Sequence, residues 1–62
     1  GYAFEKGERI LVSRGVFGGV KGKVLNIKNK NRLYVAIEQL GKIISVEIDM
    51  NAIEKQKKTQ KN

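Results

Sequence analysis

The 62-residue sequence contains no cysteine and no histidine. Without cysteine there is no thiol nucleophile, no soft metal ligand and no disulfide framework of the kind small secreted domains rely on. A reducing cytoplasm is therefore the expected compartment. Without histidine the imidazole ligand and the side chain that titrates near neutrality are missing as well. These absences exclude the common His- and Cys-based catalytic triads and metal centres, so no catalytic residue, metal or cofactor is expected. Long apolar runs are also absent. Nothing approaches the roughly 20 residues of a helical membrane span or the about 7–15 of a signal-peptide core, and no membrane partner is expected. A chain this short builds one small domain, with no room for an enclosed substrate pocket of about 300 Å³ or more. The composition points to a monomeric, non-catalytic module.

Charge is the first positive feature. Thirteen Lys and Arg against six Asp and Glu leave a formal charge of +7, a balance that favours polyanions or acidic protein surfaces. Part of it is concentrated in the C-terminal "EKQKKTQKN", where Lys55, Lys57, Lys58 and Lys61 face Glu54 alone. The rest is scattered along the chain, as on a solvated surface.

Period-two alternation is the second feature, and it marks strands with one face on a core. Ile10 and Val12 share a face in "ERILVS", with Arg9 and Leu11 turned the other way. Leu33, Val35 and Ile37 alternate with Tyr34, Ala36 and Glu38, and Ile44, Val46 and Ile48 alternate with Ile43, Ser45 and Glu47. In "VKGKVLNIK" the parity changes between Val24 and Ile27, which calls for a bulge or bend, expected at Gly22. "KNKN" at 28–31 and the pair Leu40-Gly41 read as hairpin turns. "DMNAIEK" offers one helical turn capped by Asp49 or Asn51, then a closing strand at Ile53. Four or five short strands are best closed into a barrel, which removes exposed edges. The expected core is Ile10, Val12, Val24, Ile27, Leu33, Val35, Ile37, Val46, Ile48 and Ile53. Residues 1–3 read as a linker or an added end, 4–55 as the barrel domain, and 56–62 as a basic disordered tail.

Ligand motifs are tested by spacing. The residue five before Gly22 is Phe17 and Val24 follows Lys23, so the P-loop pattern fails twice. No Gly-x-Gly-x-x-Gly stands ahead of a helix. "GVKG" matches the Gly-x-x-Gly of an RNA-clamping loop, but that loop joins two helices and strand-like alternation lies on both sides here. Glu38, Glu47 and Asp49 read as surface carboxylates. Among the aromatics, Phe4 is expected to pack on the end of the barrel and Tyr34 to stand alone on an outward face. Phe17 lies in the Gly-rich "RGVFGG", where its ring either meets a partner or forms a lid over the barrel end.

Taken in order, Gly7-Glu8, Ile10, Val12, Gly15, Phe17, Gly22 with Val24, Arg32-Leu33, Val35, Leu40-Gly41 and "VEID" before "IEK" make the stretch from Phe4 to Lys55 resemble the C-terminal KOW domain of the NusG family of transcription factors. The resemblance implies an all-β, five-stranded SH3-like barrel, with one short helical turn before the last strand. It also implies a role in recruiting factors to RNA polymerase, which an N-terminal domain outside this chain would contact. The implied partners are the ribosomal protein also called NusE and, in general members, Rho. Their contact surface maps here to Val16, Phe17 and Gly18, and to Leu40, Gly41, Lys42 and Ile43. Val16 stands where the family commonly has Pro, Ser45 replaces a Pro before "VE", and Val20 replaces a bulkier aromatic. With the basic balance, these departures imply a specialised paralogue, such as the antiterminators of polysaccharide operons.

On this reading Phe17 anchors the partner and is exposed in the free domain, flanked by Arg14 and Lys42. A second reading is an RNA- or ribosome-binding KOW domain, using Arg14, Lys21, Lys23 and Lys28 on phosphates. A proline-peptide SH3 module lacks the several aromatics that line such grooves.

Overall fold

The alternating segments form five strands in a computed structural model that describes residues 3–56. They are β1 (Arg9–Val12), β2 (Lys21–Ile27), β3 (Arg32–Gln39), β4 (Lys42–Asp49) and β5 (Ile53–Lys55), with a 3₁₀ turn at Met50–Ala52 before the last. All neighbours are antiparallel and belong to one sheet in the order β4-β3-β2-β1-β5. The core is Phe4, Ile10, Val12, Val24, Leu33, Val35, Ile37, Ile48 and Ile53, with Ile27 and Val46 partly buried against it. Phe4 packs into this core as expected. Ile44 faces the core side opposite Ile37, yet it is 38% exposed because β4 is the sheet's edge and little lies beyond it.

Chain length forces the sheet to curl. Laid flat, β4 and β5 would lie four strand spacings apart, about 19 Å. The chain from Asp49 to Ile53 spans at most about 14 Å. The 3₁₀ turn bridges the gap: Met50 N–H donates to Asn31 O at 2.8 Å, and Ala52 O accepts from Ser13 N–H at 2.7 Å. Asp49 caps the turn through Oδ1, which accepts from Asn51 N–H at 2.8 Å. The rolled sheet buries one face on itself. Among the described residues no ladder joins β4 to β5, so the expected closure into a barrel is not completed by hydrogen bonds.

The parity change in β2 is resolved at a different residue from the one expected. Register slips between Val24, opposite Val35, and Asn26, opposite Tyr34, so the bulge falls at Leu25 and not at Gly22. The extra residue lets both Val24 and Ile27 face inward while Leu25 turns out, 40% exposed. Gly22 serves close packing instead. A Cβ there would stand 2.6 Å from Val35 Cγ1 and 2.7 Å from Ala36 O, so only glycine lets β2 lie this close to β3.

The two hairpins form where expected. Asn29 Oδ1 accepts from the backbone N–H groups of Asn31 and Arg32 at 2.8 and 3.0 Å, closing the polar turn between β2 and β3. Leu40 and Gly41 connect β3 to β4 with φ of 53° and 78°, the all-positive geometry of a type I′ turn that matches strand twist. At the C-terminal end Gln56, expected to open the tail, is held by the sheet: its Nε2 donates to Ile10 O at 3.0 Å. The expected disorder of residues 57–62 lies outside the described residues, as do residues 1 and 2 of the expected linker.

Candidate functional site

The loop between β1 and β2 folds back on itself through its backbone, and Phe17 and Val20 pack against the core. Gly18 N–H donates to Gly15 O at 3.0 Å, Val20 N–H to Phe17 O at 3.1 Å, and Gly19 N–H to Val12 O at 2.7 Å. These successive turns direct neighbouring side chains to opposite surroundings. Phe17 is half-buried and packs against the core, whereas Val16 is 94% exposed. The expected free exposure of the Phe17 ring is thus corrected. It lies over the core, and Val16 is the apolar side chain this loop gives to solvent.

The β3–β4 turn presents the other candidates. Leu40 is 99% and Ile43 77% exposed, and Gly41 and Lys42 are exposed between them. Pairing of Gly22 with Ile37 and Lys23 with Ala36 sets the start of β2 beside the end of β3. The β1–β2 loop and the β3–β4 turn therefore leave the same end of the β2–β3 ladder. Of the rim residues named from the sequence, Val16, Phe17 and Gly18 lie on the first connection and Leu40 and Gly41 on the second, while Lys42 and Ile43 open β4 beside it.

The basic candidates are not gathered in one place. Lys28 Nζ lies 3.2 Å from Glu47 Oε2, and Arg32 Nε lies 2.6 Å from the same oxygen. Arg32 also approaches Asp49 at 3.9 Å. The Arg32 hydrogen bond first, and that of Lys28 second, hold the Glu47 carboxyl below its ordinary value. Lys28 is therefore engaged in a charge cluster at the turn end of β2, β3 and β4. Lys21 and Lys23 line a shallow groove on the outer face with Arg9, Leu25, Ala36 and Ile43, and Arg14 is not among its lining residues. Arg9 joins this group only through cross-strand register, and its outward parity in "ERILVS" was the one signal available beforehand. Glu8, at the far end of β1, accepts from Glu5 N–H at 3.1 Å and pairs with Lys55 at 3.1 Å. These contacts, the backbone bond foremost, lower its pKa.

Among the described residues no polar side chain is buried, and no buried side-chain nitrogen or oxygen lacks a partner. The chemistry on offer lies on the surface: apolar side chains held out on two neighbouring connections, and charge on the outer face. The chain, a single rolled antiparallel sheet of five short strands, is consistent with a small all-β domain of the KOW type. Over 53 residues, 84% of the chain, it is 40% identical to the transcription termination/antitermination protein NusG of Liberibacter asiaticus, of which it covers 76%. Over 55 residues, 87% of the chain, it is 36% identical to the protein of that name from Borreliella burgdorferi, but spans only 30% of that relative's length. The chain belongs to the NusG family of transcription termination/antitermination proteins. No protein-family model matches it.

Proposed function

We propose that this chain is the SH3-like KOW module of a NusG-type transcription elongation and antitermination factor. It carries no chemistry of its own and recruits a ribosomal protein of the NusE type through the rim formed by Val16, Leu40 and Ile43. Rho is the competing ligand for the same rim, and contact with RNA polymerase belongs to another domain. The observation that carries the reading is Leu40. It combines a φ of 53°, unfavourable for a side chain with a Cβ, with 99% exposure of a large apolar group. Neither cost is recovered within the fold, whereas burial against a partner recovers the second. Val16 and Ile43 add exposed apolar side chains at the same end of the sheet, and Lys42 beside Gly41 steers an acidic surface.

Titrating the isotope-labelled chain with its own organism's NusE-type protein tests this. Amides of residues 15–20 and 39–44 are expected to shift, and Leu40→Asn is expected to weaken binding by about 2 kcal/mol, on the scale of an interface hot spot. If those amides stay unmoved with both the ribosomal protein and Rho, the reading fails.

A further inference from the structure

The outer face of the sheet carries two groups of cations, and the fold treats them differently. Register places Arg9, Lys23, Ala36 and Ser45 in one row across β1 to β4, since opposite residues of antiparallel strands share a face. Lys21, opposite Leu11, and Ile43, opposite Glu38, belong to the next row on the same face. Toward the other end of that face stand Arg32 and Lys28, and these are neutralised by Glu47 and Asp49 at 2.6 to 3.9 Å. Arg9, Lys21 and Lys23 form no ion pair among the described residues, and residues 57–62 contain no Asp or Glu. Arg9 and Lys23 are directly opposed, an arrangement that destabilises a strand pair. Glu38 is the one acid lining the groove beside the three cations.

The floor of this groove is apolar. Ala36 leaves a low point between the strands, and the Leu25 bulge and Ile43 flank it, 40% and 77% exposed. No aromatic side chain lines it, so it offers no platform for stacking bases. Unpaired cations beside exposed aliphatic groups match a ligand that brings carboxylates and aliphatic side chains together.

We infer that this groove is a second docking site, adjoining the Val16–Leu40 rim and sharing Ile43 with it, for an extended acidic protein segment that also carries aliphatic side chains. Its carboxylates neutralise Arg9, Lys21 and Lys23, and its aliphatic groups cover Leu25, Ala36 and Ile43. Charge attraction supplies encounter and orientation, and the covered aliphatic surface supplies selectivity over a purely acidic chain.

The test uses three probes on the labelled chain: a nine-residue peptide of three Glu-Glu-Leu repeats, its counterpart with Ser for Leu, and a nine-nucleotide oligouridine. The leucine peptide is expected to shift the amides of residues 9, 21–25, 36–38 and 43, binding at least tenfold more tightly than the serine peptide. Lys21→Glu combined with Lys23→Glu is expected to weaken it at least tenfold. Leu25→Ser, at an exposed bulge, is expected to bring it down to the level of the serine peptide, and serves as the second variant should the double reversal not fold. Lys28→Gln and Leu40→Asn are expected to leave it unchanged, so failure of this site is distinguishable from failure of the rim. Equal binding of the leucine and serine peptides overturns the inference, as does an absence of shifts in the groove. Groove shifts produced by oligouridine and not by the leucine peptide overturn it in favour of a nucleic-acid site.

Discussion

Leu40 occupies the left-handed region at φ 53° on a turn that two-residue hairpins usually build from Asn-Gly or Gly-Gly. Leu40→Asn keeps the turn geometry and removes an exposed aliphatic side chain, so it is expected to raise unfolding stability by roughly 1 kcal/mol in urea titration. The same substitution removes a rim contact, so stability and partner affinity are expected to move in opposite directions. Phe17 presents the reverse case. Because its ring packs against the core, Phe17→Ala is expected to cost about 1–2 kcal/mol of stability, less than the loss at a fully buried phenylalanine. Reduced partner binding by that variant is then interpretable only beside its denaturation curve, and Val16→Ser, at a 94% exposed position, is the cleaner probe of contact.

At the scale of the elements, β4 is an edge strand whose two ends differ. Near its start Lys42, Ile43 and Ile44 are exposed, while at its other end Glu47 and Asp49 tie it to Arg32 of β3 and Lys28 beyond β2. The cluster gives the sheet a pH dependence of definite sign. The Glu47 carboxyl is held below its ordinary value of 4.5 by the Arg32 and Lys28 hydrogen bonds. Its contribution to stability is therefore fully present above that ordinary value, and is lost as pH falls through the lower, folded-state value. Glu8, lowered by the Glu5 N–H and by Lys55, acts in the same direction. Glu47→Gln is expected to flatten the decline of stability below about pH 4.5 without abolishing it, since Glu8 still titrates. Thermal unfolding followed from pH 7 to pH 2 checks this, and a variant whose decline is as steep as the parent's would remove Glu47 from the account.

For the whole molecule, the small core leaves stability dependent on how the sheet's edges are held. Gln56 is the last described residue and is fastened to Ile10 O, opposite the start of the tail. Residues 57–62 are Lys, Thr, Gln and Asn, with no apolar side chain to bury. Truncation after Gln56 is expected to shift the melting temperature by no more than about 1–2 °C, as for a free terminus. Truncation after Lys55 removes the Gln56 hydrogen bonds to β1 and is expected to lower it measurably. Equal melting temperatures for the two truncations would show that the Gln56 contact contributes nothing to the fold.

Much of this architecture is written in local sequence. Side-chain direction in a strand alternates with a period of two, so Ile10, Val12, Leu33, Val35, Ile37 and Ile48 declared the buried face before any pairing was known. Turn chemistry is equally local, which is why "KNKN", Leu40-Gly41 and the Asp49 cap stand where the residues place them. The succession of residues from Phe4 to Lys55 also sufficed to indicate the family. What the sequence left open depends on register, and register is a property of two strands at once. One extra residue at Leu25, not a bend at Gly22, decides which parts of β2 face inward. Pairing across the strands engages Lys28 with Glu47 and sets Arg9 against Lys23, so cations that look alike in the sequence become a neutralised cluster and an unpaired one. The turn bonds of the β1–β2 loop fold Phe17 onto the core and leave Val16 outside. Composition and alternation determined that this chain would be a small all-β module with a basic surface. Which of its apolar and charged groups remain free for a partner was decided only when the sheet rolled up, because a side chain's neighbours across the sheet are fixed by strand pairing and not by its place along the chain.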